Sequence, residues 1–476
     1  MTKKFLPYLI ALCMATSACT DFDDFSADTS LRLSFSQDTL FMDTVLTGIP
    51  TSTQQIMVYN PNDEALLISS ITLADGENTG FRINVDGMSG RQFDNIRIAR
   101  HDSMYLFVEA TLPTQGTPVP TAIRDSIVFL LNGNTQDLKL LAYAQDALSL
   151  RGHVVAHDTL MQPDRPVLVY DSLTVAAGAR LTLGAGTRLY FHDQAVLHIH
   201  GSLSVEGTLQ SPVVFRGDRT DRLFPYLPYD RLPGQWGGIR IYPESFDNRL
   251  AYADVHGGNF GIRCDSSTTD RDKLYMENSI IHQTAGHALE LTNCKASIAN
   301  SEISNAGGDC VALRGGDYTF THCTLANFFS WNVREGVALR FANQSNGAAC
   351  PLQQARFLNC LITGAGSDEL MGEVSEDQAV AFNYYFSHSV IHSIEESNDQ
   401  IVNVRWEDES NFVLMDDRTQ EYNFRPTAES QVIDWGNPAD AQAYPLDRDG
   451  NPRLTDAAPD AGCYEAQPQD DGQQQE

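Results

Sequence analysis

Three side chains frame the chemical question. Asp309 follows His287 by 22 residues, and Trp331 follows Asp309 by the same step. A carboxylate, an imidazole and an indole in one exposed column could hydrogen-bond a sugar and stack on its ring. A polar corner with no ligand is the plainer alternative. Lys295 and Asp317 share a second column with that step. There a base beside a carboxylate could abstract a proton, but an ion pair between neighbouring strands is the simpler expectation.

The run Gly307-Gly308-Asp309-Cys310 resembles the paired-aspartate signature of polygalacturonases, with Gly308 in the first aspartate position. That resemblance would imply glycosidic hydrolysis at Asp309. Such chemistry needs a second carboxyl group roughly 5–10 Å away. It also needs a Gly-His-Gly after the aspartates and an Arg-x-Lys beyond. Here Gly286-His287-Ala288 comes first, and no Arg-x-Lys follows. The expectation is therefore a repeat corner, with His287 and Asp309 kept as the only catalytic candidates.

The stretch from Arg216 to Gly238 is long, irregular and rich in Arg and aromatic residues. Long excursions on a solenoid carry binding faces, so Tyr226, Tyr229 and Trp236 are candidate sugar platforms; a lid packed on the solenoid is the other reading. Asp447, Asp449 and Asn451 in "DRDGN" place oxygens at alternate positions around a glycine, like part of a Ca²⁺ loop. No distal bidentate Glu follows in the EF-hand manner, so a structural turn is preferred and Ca²⁺ is the sole cofactor candidate. Nucleophile elbow, phosphate loop and metal-ligand spacing are all absent from the sequence.

These side chains need elements to hold them. From Leu31 to Leu150 short alternating runs such as "FRINV", "MYLFVEA" and "DSIVFLL" are separated by Asp86-Gly87 and Asn132-Gly133-Asn134. About seven strands at this spacing predict an immunoglobulin-like β-sandwich over 31–150, holding the next domain off a membrane. Beyond Pro166 the rhythm becomes a repeat. Met276, Ile298 and Phe320 are 22 residues apart, as are Ile281, Ile303 and Leu325. Phe357 resumes the phenylalanine column after an insertion. Such a period predicts a parallel β-helix of three strands per coil, with side chains stacked about 4.8 Å apart. The crossover preference makes it right-handed. Asn278, Asn300, His322 and Asn359 form one polar column, and Gln283, Asn305 and Asn327 another; amides in register could hydrogen-bond up the stack.

Over 167–365 the chain resembles the right-handed parallel β-helix proteins of bacterial surfaces. "SQVIDWG", "LDRDGNPR" and "PDAGCYE" resemble the C-terminal module of surface β-helix proteins termed choice-of-anchor Q, with Gln431 and Cys463 departing from its pattern. That places a capping or anchor-like module over 366–465 and a polar, disordered tail over 466–476. The start reads as a secretory signal over 1–18, with Lys3 and Lys4, a short apolar run and small residues before Cys19. It resembles a bacterial lipobox, which implies a lipid on Cys19. The acidic tether 19–30 resembles the export tag of Bacteroidota surface lipoproteins.

The formal charge of -30, from 62 acidic against 32 basic residues, argues against nucleic acid as a partner. Cys264, Cys294, Cys310, Cys323, Cys350, Cys360 and Cys463 are odd in number and irregular in spacing, so buried apolar positions are expected; whether Cys323 and Cys360 are bonded stays open. The expectation is a lipid-anchored protein on the outer face of a bacterial outer membrane. Its β-helix would be a glycan-binding, structural or adhesive module without catalysis. A β-helix polysaccharide lyase or glycosidase is the alternative.

Overall fold

Asp86-Gly87 and Asn132-Gly133 have positive φ at both residues, the conformation that closes a two-residue hairpin in keeping with strand twist. They join Phe81–Val85 to Met88–Gly90 and Thr121–Leu131 to Asn134–Gln145 in a computed structural model. The structure describes residues 25–396, 398–406 and 411–467. The signal, Cys19 and nearly all of the tail therefore lie outside the described residues. The chain folds as two compact units, divided after Asp146.

The first unit is an immunoglobulin-like sandwich of two five-stranded sheets. Alternation does the folding: in Phe81–Val85 the first, third and fifth side chains are buried, and the outward ones are Arg82 and Asn84. Ile56, Val58, Phe81, Leu106, Ile127 and Phe129 fill the space between the sheets.

The second unit is a parallel β-helix. Its strands form three ladders, two merged into one 18-stranded sheet and the third a separate sheet of 10 strands. The third ladder carries the strongest column. Met276 pairs with Ile298, Ile298 with Phe320, Phe320 with Phe357 and Phe357 with Phe386. The three phenylalanine rings stack with centroids 4.9 Å apart, the spacing that coil-on-coil pairing imposes.

The coils run past both ends of the 167–365 span. Leu148–Val155 and Thr159–Met161 already pair with the coil above, and Ile401–Val402 and Arg405–Trp406 are the last rungs. Leu148–Val155 is almost wholly exposed, as an end coil is, so it shows no apolar alternation. At the far end the connections change length while the ladder pairing continues, with a register shift between Leu352 and Ala355. Residues after 411 do not stack as coils. Their backbone lies along the flank of the helix: Cys463 N–H donates to Thr324 Oγ1 at 3.0 Å, and Asn437 N–H to Asn359 Oδ1 at 2.8 Å.

The expected amide ladder is replaced by a backbone requirement. Tyr252, Asn278, Asn300, His322, Asn359, His388 and Asn403 occupy one corner column, each with φ between 45° and 53°. Asn tolerates this left-handed region better than most residues, which is why it recurs there. Only two rungs join side chains, Asn359 to His322 at 3.0 Å and Asn403 to His388 at 2.9 Å. In the other column the Asn305 and Asn327 carbonyl oxygens accept from backbone N–H of Phe328 and Ala306. All seven described cysteines are free thiols and buried, including Cys323 and Cys360.

Candidate functional site

The corner that carries Asp309 lies where the first ladder, here Glu302–Ala306, passes into the second, here Val311–Arg314. His287 sits at the same corner of the coil before it, as the 22-residue step requires. Its Nδ1 accepts the Asp309 backbone N–H at 2.9 Å. A Cβ on Gly308 would stand 2.8 Å from that ring nitrogen, so the position equivalent to the missing aspartate has no room for one. The familiar spelling is thus produced by packing of the imidazole on the next coil.

Asp309 itself is spent on structure. Its side chain is 1% exposed. Oδ1 accepts the Val337 N–H at 3.0 Å, and Oδ2 accepts Arg340 Nε at 2.9 Å. These bonds hold the returning end of the Trp331 insertion against the coil. Burial lowers the His287 pKa, with Asp309 opposing it. A neutral ring that accepts at Nδ1 keeps its proton on Nε2, where it can donate. Neither group is placed to cut a bond: the carboxylate is sequestered and the imidazole lacks a free basic nitrogen.

Beside this corner runs a groove of about 960 Å³, lined by Phe260, His287, Ala312, Arg263, Arg314 and Arg340 among others. Its floor is the outward column of the second ladder. Arg263 pairs with Glu290, Glu290 with Ala312 and Ala312 with Arg340 in successive coils. The small Ala312, itself buried, sends no long side chain into the groove. Glu290 accepts from Arg263 Nε at 2.6 Å and also from Arg314. Burial raises the Glu290 pKa, but the two guanidiniums outweigh it and hold it low. Arg340 bridges Asp309 and Glu373. Each guanidinium has five N–H donors, and these contacts use only some of them. Arg263 also lies over the Phe260 ring, 4.7 Å from its centroid.

The arginines were missed in the sequence, although a signal exists. In the apolar pairs Ile262/Cys264, Leu289/Leu291, Val311/Leu313 and Leu339/Phe341, the residue between faces outward. Reading those middle positions gives Arg263, Glu290, Ala312 and Arg340.

The other candidates fall in different places. Trp331 is 36% exposed on the insertion bordering the groove, next to the lining residues Asn332 and Val333. Trp236 is a correction: it is fully buried, stacked on Phe191 at 4.3 Å, and its Nε1–H donates to His256 O. It closes the core under the excursion and offers no face to a sugar. The Tyr229 ring is covered by Arg219 at 3.7 Å, and Tyr226 lies under Arg418 at 4.5 Å and beside Phe224. Lys295 and Asp317 are register partners as expected, yet the Lys295 ion pair forms with Asp272 at 3.2 Å.

At "DRDGN", Asp447 accepts from the backbone N–H groups of Asp449, Asn451 and Glu465 and from the Asn451 amide. Asp449 is held by Arg425 at two oxygens. This is a turn whose carboxylates are hydrogen-bonded by N–H donors.

No family model matches the sequence, and no curated protein matches it. Among solved structures, the chain is similar to the pectate lyase Pel9A, at 13% identity over 68% of this chain and 88% of that one, with a TM-score of 0.27. A PapD-like domain of human CEP192 matches at 9% identity over 27% of this chain and 96% of that one, TM-score 0.18. A family 123 glycoside hydrolase from Clostridium perfringens matches at 9% identity over 26% and 31%, TM-score 0.17.

Proposed function

We propose that this chain is a lipid-anchored surface protein whose β-helix groove binds acidic glycans without cleaving them. The observation that carries the reading is the groove over Ala312, where three arginines keep unused donors while the neighbouring aspartate is buried and bonded. Arg forks match a carboxylate in two parallel hydrogen bonds, so uronate-bearing chains fit better than neutral ones. In a chain of formal charge -30 a polyanion is repelled from most of the surface. A cluster of guanidiniums is where it can approach. The exposed Glu335 and the half-buried Glu373 in the lining limit the groove's net charge, which argues for recognition of spaced carboxylates over dense sulfation. Trp331, on the insertion bordering this groove, would stack on a sugar ring. Anchoring at Cys19 and display on the outer face belong to the same proposal.

The test is affinity electrophoresis of the full-length chain in gels containing polygalacturonate, alginate, a glycosaminoglycan or a neutral glucan. Retardation by a uronate polymer is expected, with binding at least about tenfold weaker in Arg263→Ala/Arg314→Ala. Equal retardation of wild type and double variant would sink the groove assignment. The incubated polymers should keep their length on size-exclusion chromatography; shortened chains would turn the reading to a β-helix lyase or glycosidase.

A further inference from the structure

A second cluster of titratable groups lies on a different ladder. Asp254 and His256 stand on Ala253–His256, and His282 on Ile280–Thr284 one coil later. His256 and His282 are direct register partners, and their rings stack with centroids 4.7 Å apart. Asp254 Oδ1 lies 2.8 Å from His256 Nδ1 and 3.3 Å from His282 Nε2. One donor atom from each of the three falls within 4.8 Å of the others.

The geometry points to a binding site for a divalent transition-metal ion of the zinc type, held by Asp254, His256 Nδ1 and His282 Nε2. Imidazole and carboxylate are ligands that zinc accepts, and three protein ligands leave a fourth position for water. Two features beyond the ligand count favour this reading. The first is the orientation of His256. A metal-bound imidazole characteristically donates its other N–H to a carboxylate, and His256 Nε2 lies 2.9 Å from Asp230 Oδ1. Asp230 is fixed in turn by Arg216 at 2.7 Å, so the outer partner is itself positioned. The second is access. His256 is 8% exposed but His282 is 30% and Asp254 27%, so an ion can reach the ligand atoms from solvent.

The same contacts could serve as an ion-pair network with a proton in the metal's place. The two differ in what His282 does: in a network it adds a partly exposed contact to Asp254 beyond its stacking on His256, whereas a metal site requires it as a ligand. Asp230 lies on the turn Tyr229–Arg231 of the excursion, so an ion on these coils would also tether that segment.

The experiment is calorimetric titration of the full-length chain with Zn²⁺ after treatment with chelator, repeated with Co²⁺ to read its visible absorption. One Zn²⁺ per chain is expected. Affinity should fall at least about tenfold in His282→Ala and in Asp230→Asn, because ligand and outer-partner changes are of that size. Limited proteolysis within 216–238 should slow when Zn²⁺ is present. Absence of saturable binding at one ion per chain overturns the proposal, and so does unchanged affinity in His282→Ala. If that variant does not fold, His282→Gln takes its place, and Co²⁺ absorption unchanged in it overturns the proposal equally.

Discussion

Two aspartate–histidine pairs of the β-helix, His287 with Asp309 across neighbouring coils and His256 with Asp254 along one strand, sit in environments that drive them in opposite directions. At Asp309 the carboxylate is buried and answered by Arg340 and a backbone N–H, so it has little left for His287. His287 then takes the Asp309 N–H on Nδ1, and burial lowers its pKa. At Asp254 no arginine bridges the carboxylate. Burial pushes the His256 pKa down, but Asp254 and Asp230 outweigh it and raise it to about 9. In one pair the imidazole is neutral beside an open groove, and in the other it is charged beneath the excursion. What neutralises the aspartate decides the histidine. Residue type alone does not distinguish them.

The largest expected effect tests whether Asp309 is structural. Asp309→Ala removes a buried carboxylate, leaves the Val337 N–H without its acceptor and takes one partner from Arg340. Breaking such a pair costs about 3–5 kcal/mol. Urea unfolding followed by tryptophan fluorescence reads the β-helix selectively, since Trp236, Trp331, Trp406 and Trp435 all lie after residue 146. A loss under about 1 kcal/mol would mean that the carboxylate is free for other work.

The pH dependence sharpens the comparison further. His256 has a folded pKa above its unfolded value of 6.5. Its stabilisation is complete below pH 6.5 and is lost as pH rises through about 9, a change on the order of 3 kcal/mol. His287 has a lowered folded pKa, so its contribution runs the other way and stability falls as pH drops below 6.5. With chelator present, His256→Gln should flatten the alkaline slope and His287→Gln the acidic one. If His287→Gln altered the alkaline limb, the assigned environments would be reversed.

A third substitution serves as the control. Phe357→Leu interrupts the ring stack between Phe320 and Phe386, far from both pairs in register, and should cost about 1 kcal/mol beyond its lost area. It should lower the unfolding midpoint and leave both pH slopes unchanged. A changed slope would show that the coils transmit strain from the third ladder to the corners.

Much of this architecture was legible because coil stacking forces like residues over like. Met276, Ile298, Phe320 and Phe357 are in register in the structure as they are in the sequence. Legibility stopped where the connections change length or a coil lies at an end. Phe386 follows Phe357 by more than one period, so the later coils were hidden, and exposed Leu148–Val155 carried no apolar signature. The site was only half readable for a related reason. Columns show which residues are neighbours but not which partner wins, as Lys295 illustrates by bonding Asp272 instead of its register partner Asp317. Trp236 looked like an exposed platform because an excursion rich in arginine hides the one ring that turns inward.

The smallest expected effect on stability falls on Trp331, and it separates binding from folding most cleanly. Among the described residues Trp331 has no ring or guanidinium partner, whereas Arg219 covers Tyr229 and Tyr226, 40% exposed, lies under Arg418 and beside Phe224. It is 36% exposed, so Trp331→Ala should change unfolding free energy by no more than about 0.5 kcal/mol. A ring that stacks on sugar is worth roughly 0.5–1.5 kcal/mol, which predicts retardation weaker by about two- to tenfold in the uronate gel. The buried Trp236 gives the opposite result: Trp236→Ala should destabilise by about 3–5 kcal/mol whatever the ligand. If Trp331→Ala instead destabilised the fold and left retardation unchanged, the insertion would be packing and the groove would end at the arginines.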